Sequence, residues 1–114
     1  MDRIDLVAMR GNRFMRVQVK AANPKTLVGR QPRYNFMTND GCGGTLSPDY
    51  IDIVALVAID IRKVIFEVPA DLKLNSSVSP CKYLQIDIER ITWDNAVTRI
   101  LGEAHDVCSG PEVA

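Results

Sequence analysis

The sequence predicts an α/β domain, with a mixed central sheet of four to six strands and a C-terminal helix. Three observations carry that expectation. Gly11-Asn12 joins two strand-like segments, 4–10 and 13–21, and the second alternates with period two, Met15, Val17 and Val19 on one face and Phe14, Arg16, Gln18 and Lys20 on the other, the pattern of a β-hairpin. Residues 53–59, Ile-Val-Ala-Leu-Val-Ala-Ile, form an unbroken apolar run, the length of one strand buried on both faces. Ala96, Val97, Ile100 and Leu101 make an apolar stripe at helical spacing near the C-terminus. A chain of 114 residues suits one domain.

Taken in order, residues 4–10 and 13–21 read as paired strands, because Gly11 and Asn12 both tolerate positive φ in a two-residue loop. Residues 22–32 hold Pro24 and Pro32 and read as a basic loop. Tyr34 to Thr38 is a third strand. Residues 39–45, rich in glycine, read as a flexible loop; they lack the lysine and spacing of a phosphate-binding P-loop. Ser47 and Pro48 suit the start of a short helical turn. The apolar run bounded by Asp52 and Asp60 is followed by a turn at Arg62 and a returning strand, Lys63 to Val68, that Pro69 ends. Residues 70–82 look irregular, and Tyr83 to Ile88 alternates like a last short strand. Thr92 or Asp94 is placed to cap a final helix over Trp93 to Glu103.

The formal net charge is zero, but it is unevenly placed. Residues 1–40 carry eight basic and three acidic groups, net +5, and residues 41–114 carry net −5. A basic segment of this kind steers a protein toward a polyanion; a solvated arginine-rich surface is the plainer alternative. Cys42, Cys81 and Cys108 are widely spaced and odd in number, which argues against a disulfide framework or a zinc site. His105 and Cys108 form a lone His-x-x-Cys, better read as a frayed helix end. Trp93 and Tyr83 read as core anchors. The apolar runs are too short to span a bilayer, no signal peptide is evident, and a cytoplasmic protein with no membrane partner is expected.

The hairpin gathers the candidate chemistry. With Arg10 opposite Arg13, paired positions sum to 23, which places Asp5 opposite Gln18. Lys20, two residues on, shares the face of Gln18. A carboxylate, a carbonyl and an ammonium so grouped suit a divalent metal beside a phosphate. A surface carboxylate–lysine pair worth at most about 1 kcal/mol is the bland alternative.

Ile4-Asp5-Leu6-Val7, the hairpin, and Val17-Gln18-Val19-Lys20 resemble the PD-(D/E)XK nuclease superfamily. Arg16-Val17-Gln18-Val19-Lys20 is especially similar to its group I intron-associated homing endonuclease branch, where glutamine can replace the usual acid. Asp49-Tyr50-Ile51-Asp52 and Phe66-Glu67-Val68-Pro69 resemble that branch as well. The resemblance covers residues 4–69, with 70–108 as a C-terminal extension and 109–114 as a frayed tail. It implies a restriction-endonuclease-like core that lacks the usual N-terminal helix and its glutamate, and Ile4 stands in place of the motif's proline. It implies a magnesium- or manganese-dependent DNA endonuclease of a mobile element. Asp5 would be the principal metal carboxylate, Gln18 a neutral second ligand and the Val19 carbonyl a third. Lys20 would stabilise charge on the phosphate or help activate water. A second carboxylate would come from Asp49, Asp52 or a partner subunit. Arg16, Lys25, Arg30 and Arg33 would contact DNA phosphates. The alternatives are a non-catalytic DNA-binding module of the same fold, and a small interaction protein that forms a homodimer or higher homo-oligomer.

Overall fold

A computed structural model describes residues 4–26, 28–38, 51–72 and 75–109, with side chains described as far as residue 102. Gly11 starts the first turn at φ 63°, while Asn12 keeps a negative φ, as in a type II′ loop with glycine first. The turn joins β1 (Leu6–Arg10) to β2 (Arg13–Ala22) in the expected register, from Arg10↔Arg13 to Leu6↔Val17. The apolar run forms β5 (Ile53–Ala58), and β6 (Lys63–Glu67) returns antiparallel to it. β2 and β5 pair in parallel, Val17↔Ile53 to Ala22↔Ala58, giving a mixed four-stranded sheet in the order β1-β2-β5-β6.

Between β2 and β5 the chain begins a second sheet, which a strand beyond β6 completes. β3 (Pro24–Lys25) and β4 (Arg33–Met37) pair antiparallel, so the expected loop over 22–32 carries a short strand. Pro24 fits there because β3 lies at an edge, where its missing N–H costs no ladder bond. β7 (Asn75–Val78) completes the order β3-β4-β7. The expectation of irregular chain over 70–82 is therefore corrected. A 3-10 turn spans Pro69–Asp71, β7 follows, and α1 (Pro80–Tyr83) begins with proline in its first turn and Ser79 Oγ accepting from Cys81 N at 3.2 Å.

The strand expected over 83–88 does not form. Tyr83 ends α1, is fully buried, and donates its hydroxyl to the Leu56 carbonyl at 2.9 Å. Leu84 and Ile86 are 68% and 87% exposed, so their alternation serves no buried face. Asp87 takes a φ of 59°, and α2 (Ile88–Ser109) starts directly after it. The helix thus begins five residues before Trp93 and reaches beyond Glu103. Thr92 is no cap. It donates to the Ile88 carbonyl at 2.8 Å inside the first turns and accepts from Phe66 N at 3.1 Å.

The elements stack in three layers. Val54, Leu56, Ala58 and Ile65 on one face of the four-stranded sheet meet Tyr34, Phe36, Val78 and Tyr83 beneath the second sheet and α1. Met15, Val17, Ile53 and Ala55 on the other face meet Ala96 and Val97 of α2, with Trp93, Ile100 and Leu101 at the margin. The Tyr34–Tyr83 and Phe66–Trp93 rings meet edge to face, with centroids 5.1 and 5.0 Å apart. Each such pair adds about 0.5–1.5 kcal/mol beyond burial. No helix among the described residues is long and apolar enough to cross a membrane. The glycine-rich segment, Cys42, Ser47, Pro48 and Asp49 lie outside the described residues.

Candidate functional site

The expected register breaks at the residue that matters most. Leu6 pairs with Val17, yet the N–H of Asp5 donates to the same Val17 carbonyl at 2.9 Å. Two consecutive residues of the first strand thus face one residue of the second, which is a β-bulge. The bulge moves Asp5 out of its expected place opposite Gln18. Its Oδ2 instead accepts the N–H of Val19 at 2.8 Å. A strand N–H lies close to the sheet plane, so the carboxylate sits at the edge of β2, just past the end of β1. The Val19 carbonyl faces that same edge, since N–H and C=O of one strand residue point to the same side. Asp5 itself is exposed.

Gln18 and Lys20 occupy the face of β2 that looks toward the second sheet, along with Val54 and Leu56. Gln18 is 6% exposed, and its Oε1 is the one buried side-chain polar atom without a hydrogen-bond partner among the described residues. An unmet buried carbonyl costs about 1–3 kcal/mol, so the position is held at the expense of stability. Lys20 is half-buried, and its ammonium has no ion-pair or hydrogen-bond partner among the described residues. The structure therefore keeps Gln18 and Lys20 together and brings Asp5 to the same strand from its edge.

The other proposed acid and arginine are engaged with each other. Asp52 Oδ2 accepts from Arg16 N at 2.7 Å and Nε at 3.0 Å, and Oδ1 accepts from Nη2 at 3.1 Å. Burial pushes the Asp52 carboxyl up, but the Arg16 hydrogen bonds and charge outweigh it and hold the pKa below the ordinary value. Asp52 is thus an ionised strut between β2 and the start of β5. Arg33 is also occupied: Nε donates to Ser77 Oγ at 2.6 Å and Nη2 to the Ser77 carbonyl at 3.1 Å. Lys25 and Arg30 are exposed on β3 and in the following loop. The basic segment thus divides between structural arginines and solvent-facing cations.

One polar group on the same face was not singled out from the sequence. Gln18 pairs with Val54, and Val54 pairs with Glu67, so Gln18, Val54 and Glu67 form one cross-strand row. Glu67 meets Lys82 at 3.6 Å and lines two adjoining concavities of about 460 and 580 Å3 with Asp71 and Lys82. Only the pairing of strands distant in sequence reveals that row; no spacing signal could have.

The donors available to a metal are hard oxygens: the Asp5 carboxylate, the Gln18 amide and the Val19 carbonyl. They fit magnesium or manganese in kind. The unmet Gln18 Oε1 is an acceptor without a donor or cation. Asp5 is the sole carboxylate of the set, and no group of three or more His, Cys, Asp or Glu gathers among the described residues. Comparison with protein-family models, curated proteins and solved structures finds no match to this chain.

Proposed function

We propose that this chain is a nuclease-like, nucleic-acid-binding domain of the PD-(D/E)XK type, a metal-dependent DNA endonuclease centred on Asp5, Gln18 and Lys20. The observation that supports the reading most is the neighbouring pair of groups on β2 that have no partner among the described residues, a buried carbonyl at Gln18 and an ammonium at Lys20. A carbonyl calls for a cation and an ammonium for an anion, and a metal-bound phosphodiester supplies both. Asp5 and the Val19 carbonyl would hold the ion from the strand edge, and Gln18 would reach it from the face. Such an ion polarises the phosphate and lowers the pKa of bound water. Lys20 would stabilise the charge that develops on the phosphate. Lys25 and Arg30 would meet the backbone of the nucleic acid and make binding salt-sensitive. A restriction-endonuclease-like core is part of the same proposal.

The test is nicking of supercoiled plasmid with magnesium or manganese. Wild type should cut only with metal, and Lys20→Ala should lose about 100-fold or more in rate. Equal behaviour of the two proteins, with no metal-dependent cutting by either, refutes the catalytic claim. The single carboxylate of the set favours a second reading, a DNA-binding module that no longer cuts. Salt-sensitive binding without cleavage would single it out.

A further inference from the structure

We propose that β1 is a homodimer interface, through which two copies of the chain pair their first strands antiparallel and join their sheets into one. The inference is independent of the nuclease reading. It starts from the unequal treatment of the two sheet edges. At β6, α2 covers the edge: Glu89 Oε2 accepts from Val64 N at 2.9 Å, and Thr92 Oγ1 accepts from Phe66 N at 3.1 Å. At β1, no described residue takes the outward backbone groups.

Those groups can be identified. A two-residue loop makes Arg10 and Arg13 a hydrogen-bonded pair, so Ala8 and Leu6 also bond inward and Val7 and Met9 point their N–H and C=O outward. Exposed edges in native proteins are usually guarded by lysine, proline or a bulge. β1 reads Leu-Val-Ala-Met-Arg and has neither lysine nor proline; its bulge lies at the Asp5 end. Apolar side chains flank the edge on both faces. Leu6 is 58% exposed on the α2 side, and Val7, Met9 and Phe14 are 57%, 63% and 63% exposed on the other.

A second copy suits this edge through both geometry and charge. The free strand begins at Asp5 and ends at Arg10. Antiparallel pairing brings the acidic end of one copy to the basic end of the other, whereas parallel pairing would set like against like. A two-fold axis normal to the sheet keeps each side chain on its own face, so opposed residues must share parity. A register centred on Ala8 meets that condition. It sets Val7 opposite Met9 of the second copy, and Met9 opposite its Val7. All the outward N–H and C=O groups of those residues are then paired. Arg10 falls beside Asp5 of the second copy.

Sedimentation equilibrium over a concentration series, combined with amide hydrogen exchange, tests the proposal. Wild type should pass from monomer to dimer by about 100 μM, with the Val7 and Met9 amides more protected as concentration rises. Val7→Lys and Met9→Pro should each weaken association by about tenfold or more. Neither should change the circular dichroism spectrum, because neither removes a β1–β2 hydrogen bond. If Met9→Pro disturbs the fold, Val7→Lys and the exchange data still decide. A protein that stays monomeric up to millimolar concentration overturns the proposal. So does a dimer that both variants leave equally strong, or one in which the Val7 and Met9 amides exchange at the same rate at all concentrations.

Discussion

Gln18 is the residue at which the proposed function and stability would oppose each other. An amide buried with an unmet carbonyl weakens the fold, and a leucine of similar size would remove that penalty. Gln18→Leu should therefore raise the unfolding free energy by about 1–3 kcal/mol in urea titrations without metal, while abolishing any metal-dependent cutting. Destabilisation on that substitution would show that the amide is satisfied in solution. Tyr34, in the same layer between the two sheets, provides a pH handle. The hydrogen bond to Asp60 at 2.6 Å, and then burial, push its pKa up to about 12. The folded chain keeps that proton after the unfolded chain has lost its own near the ordinary value of about 10. Stability should accordingly be full below pH 10 and fall as pH rises toward 12. Tyr83, raised by burial first, contributes in the same sense. Tyr34→Phe should make the decline shallower in thermal melts taken between those pH values; an unchanged slope would contradict it. At this scale the sequence showed which residues were polar and on which strand. It could not show that Asp5 would leave the ladder, because the bulge depends on where the chain before Leu6 meets β2 rather than on any residue preference.

Each secondary-structure element was legible in proportion to how local its causes are. The first hairpin is specified by Gly11-Asn12 and by the alternation along β2, and it forms in the expected register up to Leu6. The β5 run and its return through β6 were equally plain, since continuous apolar chain and a short turn leave few alternatives. The stretch from 70 to 88 departs from its sequence pattern for a physical reason. Its alternation of Tyr83, Leu84, Gln85, Ile86 and Asp87 mimics a strand, yet Tyr83 is held by the Leu56 carbonyl, a partner 27 residues away. Thr92 was misread as a cap for a related reason: its hydroxyl is shared between its own helix and the edge of β6. Thr92→Val keeps the shape and strips the acceptor from Phe66 N–H. It should cost about 1–3 kcal/mol in chemical denaturation, because that half-buried donor is left unmet. A loss well below that range would mean that water replaces the hydroxyl.

Across the whole molecule, the charge imbalance read from the sequence does not become a uniform basic face. Arg16 and Arg33 brace the two sheets through Asp52 and Ser77, leaving Lys25 and Arg30, together with Arg10 and Arg13 beside the first turn, as exposed cations of that segment among the described residues. Any nucleic acid drawn to this domain would meet these scattered cations, and the salt dependence of binding should reflect a few phosphate contacts rather than the full count of basic residues. The fold class was foreseeable from composition and periodicity. The division into two sheets was not, because it requires β4 to leave the central sheet and find β7 instead. The parallel seam between β2 and β5 has a consequence for how the chain folds. The β1–β2 and β5–β6 hairpins close over short loops, whereas Arg16 and Asp52, which tie the seam, are 36 residues apart. The intervening chain carries β3 and β4, and the second sheet is complete only when β7 arrives from beyond β6. Long loop closures are slow to repay their entropy, so the two hairpins can form early and independently while their union awaits the second sheet. The meeting of β2 with β5, tied by Arg16 and Asp52, is therefore the expected slow step of folding, an expectation that folding kinetics of variants at those two residues check.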